Sequence, residues 1–120
     1  MKIIIPSSSN KGLEAEIDSK FGRATYFAVI DSDDMSIEFV KNDSASQASG
    51  AGVGAAQLCA DRDADIIIAN DFGPKAFYAL DSAGIEMYSV SSEDNLNSAI
   101  KSLQSGSLTK VTGPTSRGKR

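Results

Sequence analysis

The chain of 120 residues has no histidine, no tryptophan and a single cysteine, Cys59. Each shortage excludes a class of chemistry. One cysteine cannot close an internal disulfide, which removes the stapled secreted scaffolds. Neither a Cys₄ nor a Cys₂His₂ zinc site can be assembled within one chain. Catalytic triads and Cys–His pairs both need an imidazole, so the common nucleophilic hydrolases are out. Long apolar runs are missing too. The uninterrupted runs, such as residues 3–6 and 66–69, are short, far from the roughly 20 residues that span a bilayer. Residues 1–6 lack the longer apolar region and small-residue cleavage site of a secretory signal. The expectation is one domain in a soluble, cytoplasmic protein with no membrane role.

What is present is an ordinary globular composition, 41% apolar, with 12 bases against 16 acids. The charge is uneven. Every acid lies at or before Asp94, whereas Lys110, Arg117, Lys119 and Arg120 all fall in the last 11 residues. The body before them has 8 bases against 16 acids, a net charge of −8. Such a body repels phosphate, so the domain itself is not expected to bind nucleic acid.

Periodicity gives the element order. The run Lys2-Ile3-Ile4-Ile5-Pro6 reads as a central strand. Residues 7–22 form a long loop, of a length that is more often functional than decorative. Residues 24–30 and 36–41 read as a hairpin across Asp31-Ser32-Asp33-Asp34. Residues 42–52 are small and polar and are expected to be a mobile loop with no core anchor. A helix with Ala55, Ala56, Leu58 and Cys59 on its apolar stripe follows, through Arg62. Residues 65–69 read as a strand buried on both sides. Gly73-Pro74 opens a helix that Gly84 ends. Residues 85–90 make a fifth strand, and Ser91 with Asp94 resembles a capping box for a last helix carrying Leu96, Ala99, Ile100 and Leu103. The order β-β-β-α-β-α-β-α predicts an α/β fold of three layers on a mixed five-stranded sheet. Residues 1–105 form the domain, and residues 106–120 are expected to be a disordered basic tail.

This order sends the loops after strands one, three, four and five to the same sheet edge, where open α/β sheets bind ligands. The groups gathered there are mostly backbone. Gly50 and Gly52 lie at one helix start, Gly73 and Pro74 at the next, with Arg23, Lys20 and Lys75 as nearby cations. Helix N-termini with cations suit an anion. No GxGxxG or GxxxxGK[ST] spacing supports a nucleotide. Asp71 on the same edge is a candidate to orient Arg23 or bind a metal, beside a simpler turn role. Cys59 reads as a buried, inert thiol. Asp61, Asp63 and Asp65 read as solvated surface at the opposite edge.

Several of these pieces are similar to one family. Residues 2–6, then Phe21-Gly22-Arg23-Ala24 with Tyr26-Phe27, resemble the opening of the dinitrogenase iron–molybdenum cofactor biosynthesis family, which includes NifX and the C-terminal domain of NifB. Gly50-Ala51-Gly52 with Ala55-Ala56-Gln57-Leu58 resembles its first helix. Asp65-Ile66-Ile67-Ile68, Gly73-Pro74-Lys75-Ala76-Phe77 and Ala83-Gly84-Ile85 resemble its second half. The resemblance implies a ribonuclease-H-like fold and a non-catalytic protein that binds or transiently carries an iron–sulfur or iron–molybdenum cluster, or its precursor. It implies a cluster donor or acceptor as partner, such as an iron–sulfur carrier ATPase or a nitrogenase-type assembly factor. Many family members place a histidine before Phe-Gly-Arg, where this chain has Lys20. Imidazole is a good iron ligand, and its loss leaves Lys20, Arg23 and the helix starts to hold an anionic cluster by charge. The alternative is an interaction or regulatory module that has lost its metal ligands, with the basic C-terminus as a docking element.

Overall fold

Three consecutive isoleucines leave a strand no polar face, so both of its faces must be covered. The computed structural model, which describes residues 1–46, 50–91 and 94–115, covers them. Strand β1 (Lys2–Ser7) lies mid-sheet and pairs antiparallel with β2 (Tyr26–Asp31) along its whole length. Strand β3 (Ser36–Lys41) extends that side as the other arm of the hairpin. On its other side β1 runs parallel to β4 (Ile66–Ala69), and β4 runs parallel to β5 (Glu86–Ser89). The pleat sorts the isoleucines. Ile4 faces a core with Phe27, Val29 and Ile67, covered by α1 (Ala51–Asp61) and α2 (Pro74–Ser82). Ile3 and Ile5 face a second core with Ala28, Ile30, Ile66 and Ile68. That face is covered by α3 (Leu96–Gln104) and by Ala15 and Ile17 of the long loop. The result is an α/β fold of three layers on a mixed sheet.

The sheet has six strands in the order β3-β2-β1-β4-β5-β6, where five were expected. The sixth comes from the stretch read as tail. Strand β6 (Thr109–Lys110) pairs antiparallel with β5, and the Val111 N–H donates to the Met87 carbonyl at 2.8 Å. Val111 is buried in the α1/α2 core. Two isolated apolar side chains, Leu108 and Val111, and a two-residue strand leave no periodic signature, which is why the sequence reads as tail there. Within the stretch 106–120 expected to be tail, residues 109–111 thus join the sheet and core. Residues 116–120 lie outside the described residues.

The helix ends follow local chemistry. Pro74 takes the first position of α2, and Gly84 adopts φ +77° just past its end. Helix α3 is capped differently from expectation. Its cap is Asn95, whose side-chain oxygen accepts the Ser98 N–H at 2.9 Å while the Ser98 hydroxyl accepts the Asn95 N–H at 3.1 Å. This reciprocal pair replaces the anticipated Ser91–Asp94 box, because Asn95 sits directly before the first buried residue, Leu96.

Strands β1, β3, β4 and β5 share one direction, so their carboxyl ends meet at one edge, called upper here. Parallel neighbours β1 and β4 send their connections to opposite sides, which makes the top of this pair the topological switch point. Pro6 has no N–H to offer either neighbour, and the β1–β4 register runs only over Ile3↔Ile66 and Ile4↔Ile67.

Leu80 is fully buried on α2, whereas Val53 is 44% exposed on α1. Leu80→Ala is expected to cost about 2–5 kcal/mol in urea unfolding, and Val53→Ala within about 0.5 kcal/mol.

Candidate functional site

The upper edge is assembled by contacts that use almost no side-chain length. Phe21 anchors the long loop, its ring centroid 5.4 Å from that of Phe27 and 5.9 Å from that of Phe72. This seats the segment after β1 against the segment after β4. Gly22 then lies on the backbone at the start of α1. A Cβ at residue 22 would stand 2.8 Å from the Gly52 nitrogen and 2.9 Å from its Cα. Only glycine permits that approach. A Cβ on that same Gly52 would meet the Ala76 Cβ at 3.4 Å, so the first turns of α1 and α2 stand side by side.

Asn42 locks the third segment. It is buried, and its amide donates to the carbonyls of Gly22 at 3.0 Å and Ala24 at 2.9 Å. Its oxygen accepts the Ser44 N–H at 3.1 Å, starting a short 3₁₀ turn at Asp43–Ser46. The expectation of an unanchored loop over residues 42–52 is therefore corrected: a polar residue anchors it. Hydrogen bonds made by a buried amide leave no hydrophobic pattern to read. Residues 47–49 of that loop lie outside the described residues.

The candidate residues fall on this edge as follows. Gly50, at φ +78°, is the N-cap of α1, and Gly73 is the extended N-cap of α2, with Pro74 following. Both caps are glycines, and among the described residues neither helix start has a side-chain cap hydrogen bond at its N-cap. Their first-turn N–H groups thus form two adjacent positive ends. Arg23 is exposed and donates through Nη1 to the Ala45 carbonyl at 2.9 Å. Lys20 is exposed beyond a turn in which its N–H donates to Asp18 Oδ1 at 3.0 Å. Asp71 is half-buried and accepts the Phe72 N–H at 3.1 Å and the Thr115 hydroxyl. Sequence reading missed Gly22, Asn42 and Thr115 as parts of this edge. Gly22 did carry a signal, since it sits in the Phe-Gly-Arg stretch.

No cluster of three or more histidine, cysteine, aspartate or glutamate side chains suited to a metal occurs among the described residues. Cys59 lies fully buried in the α1/α2 core, and burial pushes its thiol up to about 12. At the lower edge a shallow depression of about 270 Å³ is lined by Ala60, Asp63, Ala64, Asp65, Ala83 and Ile85. Asp65 there accepts the Lys2 N–H at 2.8 Å.

Comparison with known proteins places this arrangement. A family model described as dinitrogenase iron-molybdenum cofactor matches residues 1–106. The chain is similar to the orange protein of Desulfovibrio gigas, solved in its apo form, with 33% identity over 96% of each chain and a TM-score of 0.92. It is also similar to a putative NifB protein from Thermotoga, with 28% identity over 98% of each chain and a TM-score of 0.83. An uncharacterized protein of Methanocaldococcus jannaschii is 27% identical over 113 residues, 92% of this chain and 91% of that one.

Two predictions follow from the geometry. Gly22→Ala is expected to destabilise by about 1–3 kcal/mol through backbone overlap. Gly113→Ala, with nothing within 4 Å of its Cβ, serves as the neutral control in the same denaturation series. Cys59 is expected to resist thiol reagents at pH 8 until the chain unfolds. Its thiol is raised from 9.0 to about 12 in the folded chain, so the folded state holds a proton that the unfolded state releases. That contribution is intact below pH 9 and is lost as pH climbs toward about 12, readable as a falling melting temperature that Cys59→Ala reduces.

Proposed function

Because the chain belongs to the dinitrogenase iron-molybdenum cofactor family, we propose that it is a non-catalytic carrier whose cargo is an anionic metallocluster of the iron–sulfur or iron–molybdenum type. The observation that carries this reading is the pair of adjacent helix starts, α1 and α2, without side-chain caps. Backbone N–H groups at a helix N-terminus bind anions with no further ligand chemistry. Arg23 and Lys20 add positive charge on the same edge.

The donor set also favours holding over ligating. The chain has no histidine, and its one thiol is buried in the core. The reading is therefore of a cluster held through hydrogen bonds and charge, and released without breaking a metal–protein bond. A carrier of that kind passes its cargo to a partner, and a cluster donor or acceptor in the cytoplasm fits the role. The orange protein, solved in an apo form, and the putative NifB protein support it as relatives. The ribonuclease-H-like grouping belongs to the same reading, supported by the order of the first five strands. The residues assigned to the cargo are Lys20, Arg23, Gly50, Gly52, Gly73 and Pro74, with Asp71 shaping the loop before them.

Anaerobic incubation with isolated iron–molybdenum cofactor tests the assignment. The expected result is stoichiometric uptake that weakens with added salt. Lys20→Ala together with Arg23→Ala is expected to weaken it roughly tenfold or more. Absence of stoichiometric uptake, or uptake untouched by the double substitution, would overturn the reading in favour of an interaction module.

A further inference from the structure

The C-terminal strap reaches the proposed cargo edge from the far side of the sheet. After β6 and the buried Val111, the chain turns back and ends its described course at Thr115. Thr115 is exposed, yet its polar groups converge on the two residues before the α2 cap. Its N–H donates to the Phe72 carbonyl at 2.9 Å. Its hydroxyl accepts the Phe72 N–H at 2.7 Å and donates to Asp71 Oδ1. The contact closes over 43 residues of chain.

We propose that Thr115 is a positioning residue for this anion-binding edge, acting on the α2 N-terminus through Asp71 and Phe72. The proposal rests on the reading of the edge as an anion site. Two consequences of the geometry support it. The hydroxyl satisfies both a backbone donor and a carboxylate, so it fixes the direction in which the chain enters Gly73 and hence where the first-turn N–H groups of α2 point. It also loads Oδ1 of Asp71, which already accepts the Phe72 N–H at 3.1 Å. An Asp71 carboxylate engaged by two donors is turned to the loop, whereas a released one is free to repel an anionic cargo.

A purely structural tie would lower stability and affinity together. A positioning role separates them. Thr115→Val removes only the hydroxyl's hydrogen bonds and keeps the shape. It is expected to weaken uptake of isolated iron–molybdenum cofactor roughly tenfold while the melting temperature moves by only a few degrees. Thr115→Ser is expected to restore uptake. A ligand-free readout accompanies this. The Phe77 N–H, which donates to the Gly73 carbonyl at 2.9 Å, reports the first turn of α2. Its hydrogen exchange is expected to quicken roughly tenfold in Thr115→Val and not in Thr115→Ser. Unchanged exchange at Phe77 in Thr115→Val overturns the proposal, as does wild-type affinity in that variant. If the wild-type chain takes up no cofactor, the cargo reading falls, and the Phe77 exchange alone decides whether Thr115 positions the helix.

Discussion

The upper edge depends on a contact that contains no side chain. Gly22 lies so close to the start of α1 that a single methyl group would stand 2.8 Å from a backbone nitrogen. Interiors are packed densely enough that such an overlap cannot be absorbed without moving an element. The contact fixes the height of the long loop against α1, and the small residues Gly52 and Ala76 carry that constraint to α2. Phe21 fixes the same loop to the segment after β4 through Phe72. Asn42 bonds to the Gly22 carbonyl and holds the third segment to the first. Removing the glycine would therefore disturb every group on the edge, though it touches no ligand itself.

Legibility in the sequence tracks the kind of force involved. Hydrophobic burial repeats along the chain, and repetition can be read. The isoleucine runs of β1 and β4 showed strands covered on both faces, and the Gly73-Pro74 pair showed where α2 starts. The convergence of loops on one edge then followed from strand direction alone. Single hydrogen bonds do not repeat. Asn42 and Thr115 look like any polar loop residue until the fold brings Gly22, Ala24, Asp71 and Phe72 to them. Strand β6 was hidden for a related reason, since both of its residues are exposed and the buried Val111 follows it. The cap of α3 was misplaced because Ser91 and Asp94 offered the usual spacing while Asn95 and Ser98 made the bonds.

The lack of histidine gains a meaning from the geometry. Direct ligation of an iron–sulfur or iron–molybdenum cluster favours soft thiolate or imidazole donors. This edge offers helix starts and cations instead, and groups of that kind select for charge more than for the identity of a metal. Electrostatic holding is strongest where water is excluded and weakens in an open, salt-screened cleft. On this edge Lys20 and Arg23 are exposed to solvent. A cargo held there as proposed would exchange readily, which would suit transfer better than storage.

The three helix starts sharpen that argument, because they are treated differently. Helix α3 begins after β5 at the same end of the sheet, and it is sealed by the reciprocal Asn95–Ser98 pair. Helices α1 and α2 begin at glycine, with no side-chain cap at either. Glycine at an N-cap loses only a few tenths of a kcal/mol against the best capping residues, so stability alone scarcely penalises the choice. What differs is access. A Ser, Asp or Asn at residue 50 or 73 would bring its own side-chain oxygen to first-turn N–H groups that the glycine caps do not bond. A cap of that kind competes directly with an incoming anion for the same donors. The helix that faces the opposite layer is closed, and the two that share the edge with Arg23 are open. That difference leaves room at the α1 and α2 starts for the proposed anion, while glycine caps are also compatible with ordinary helix capping.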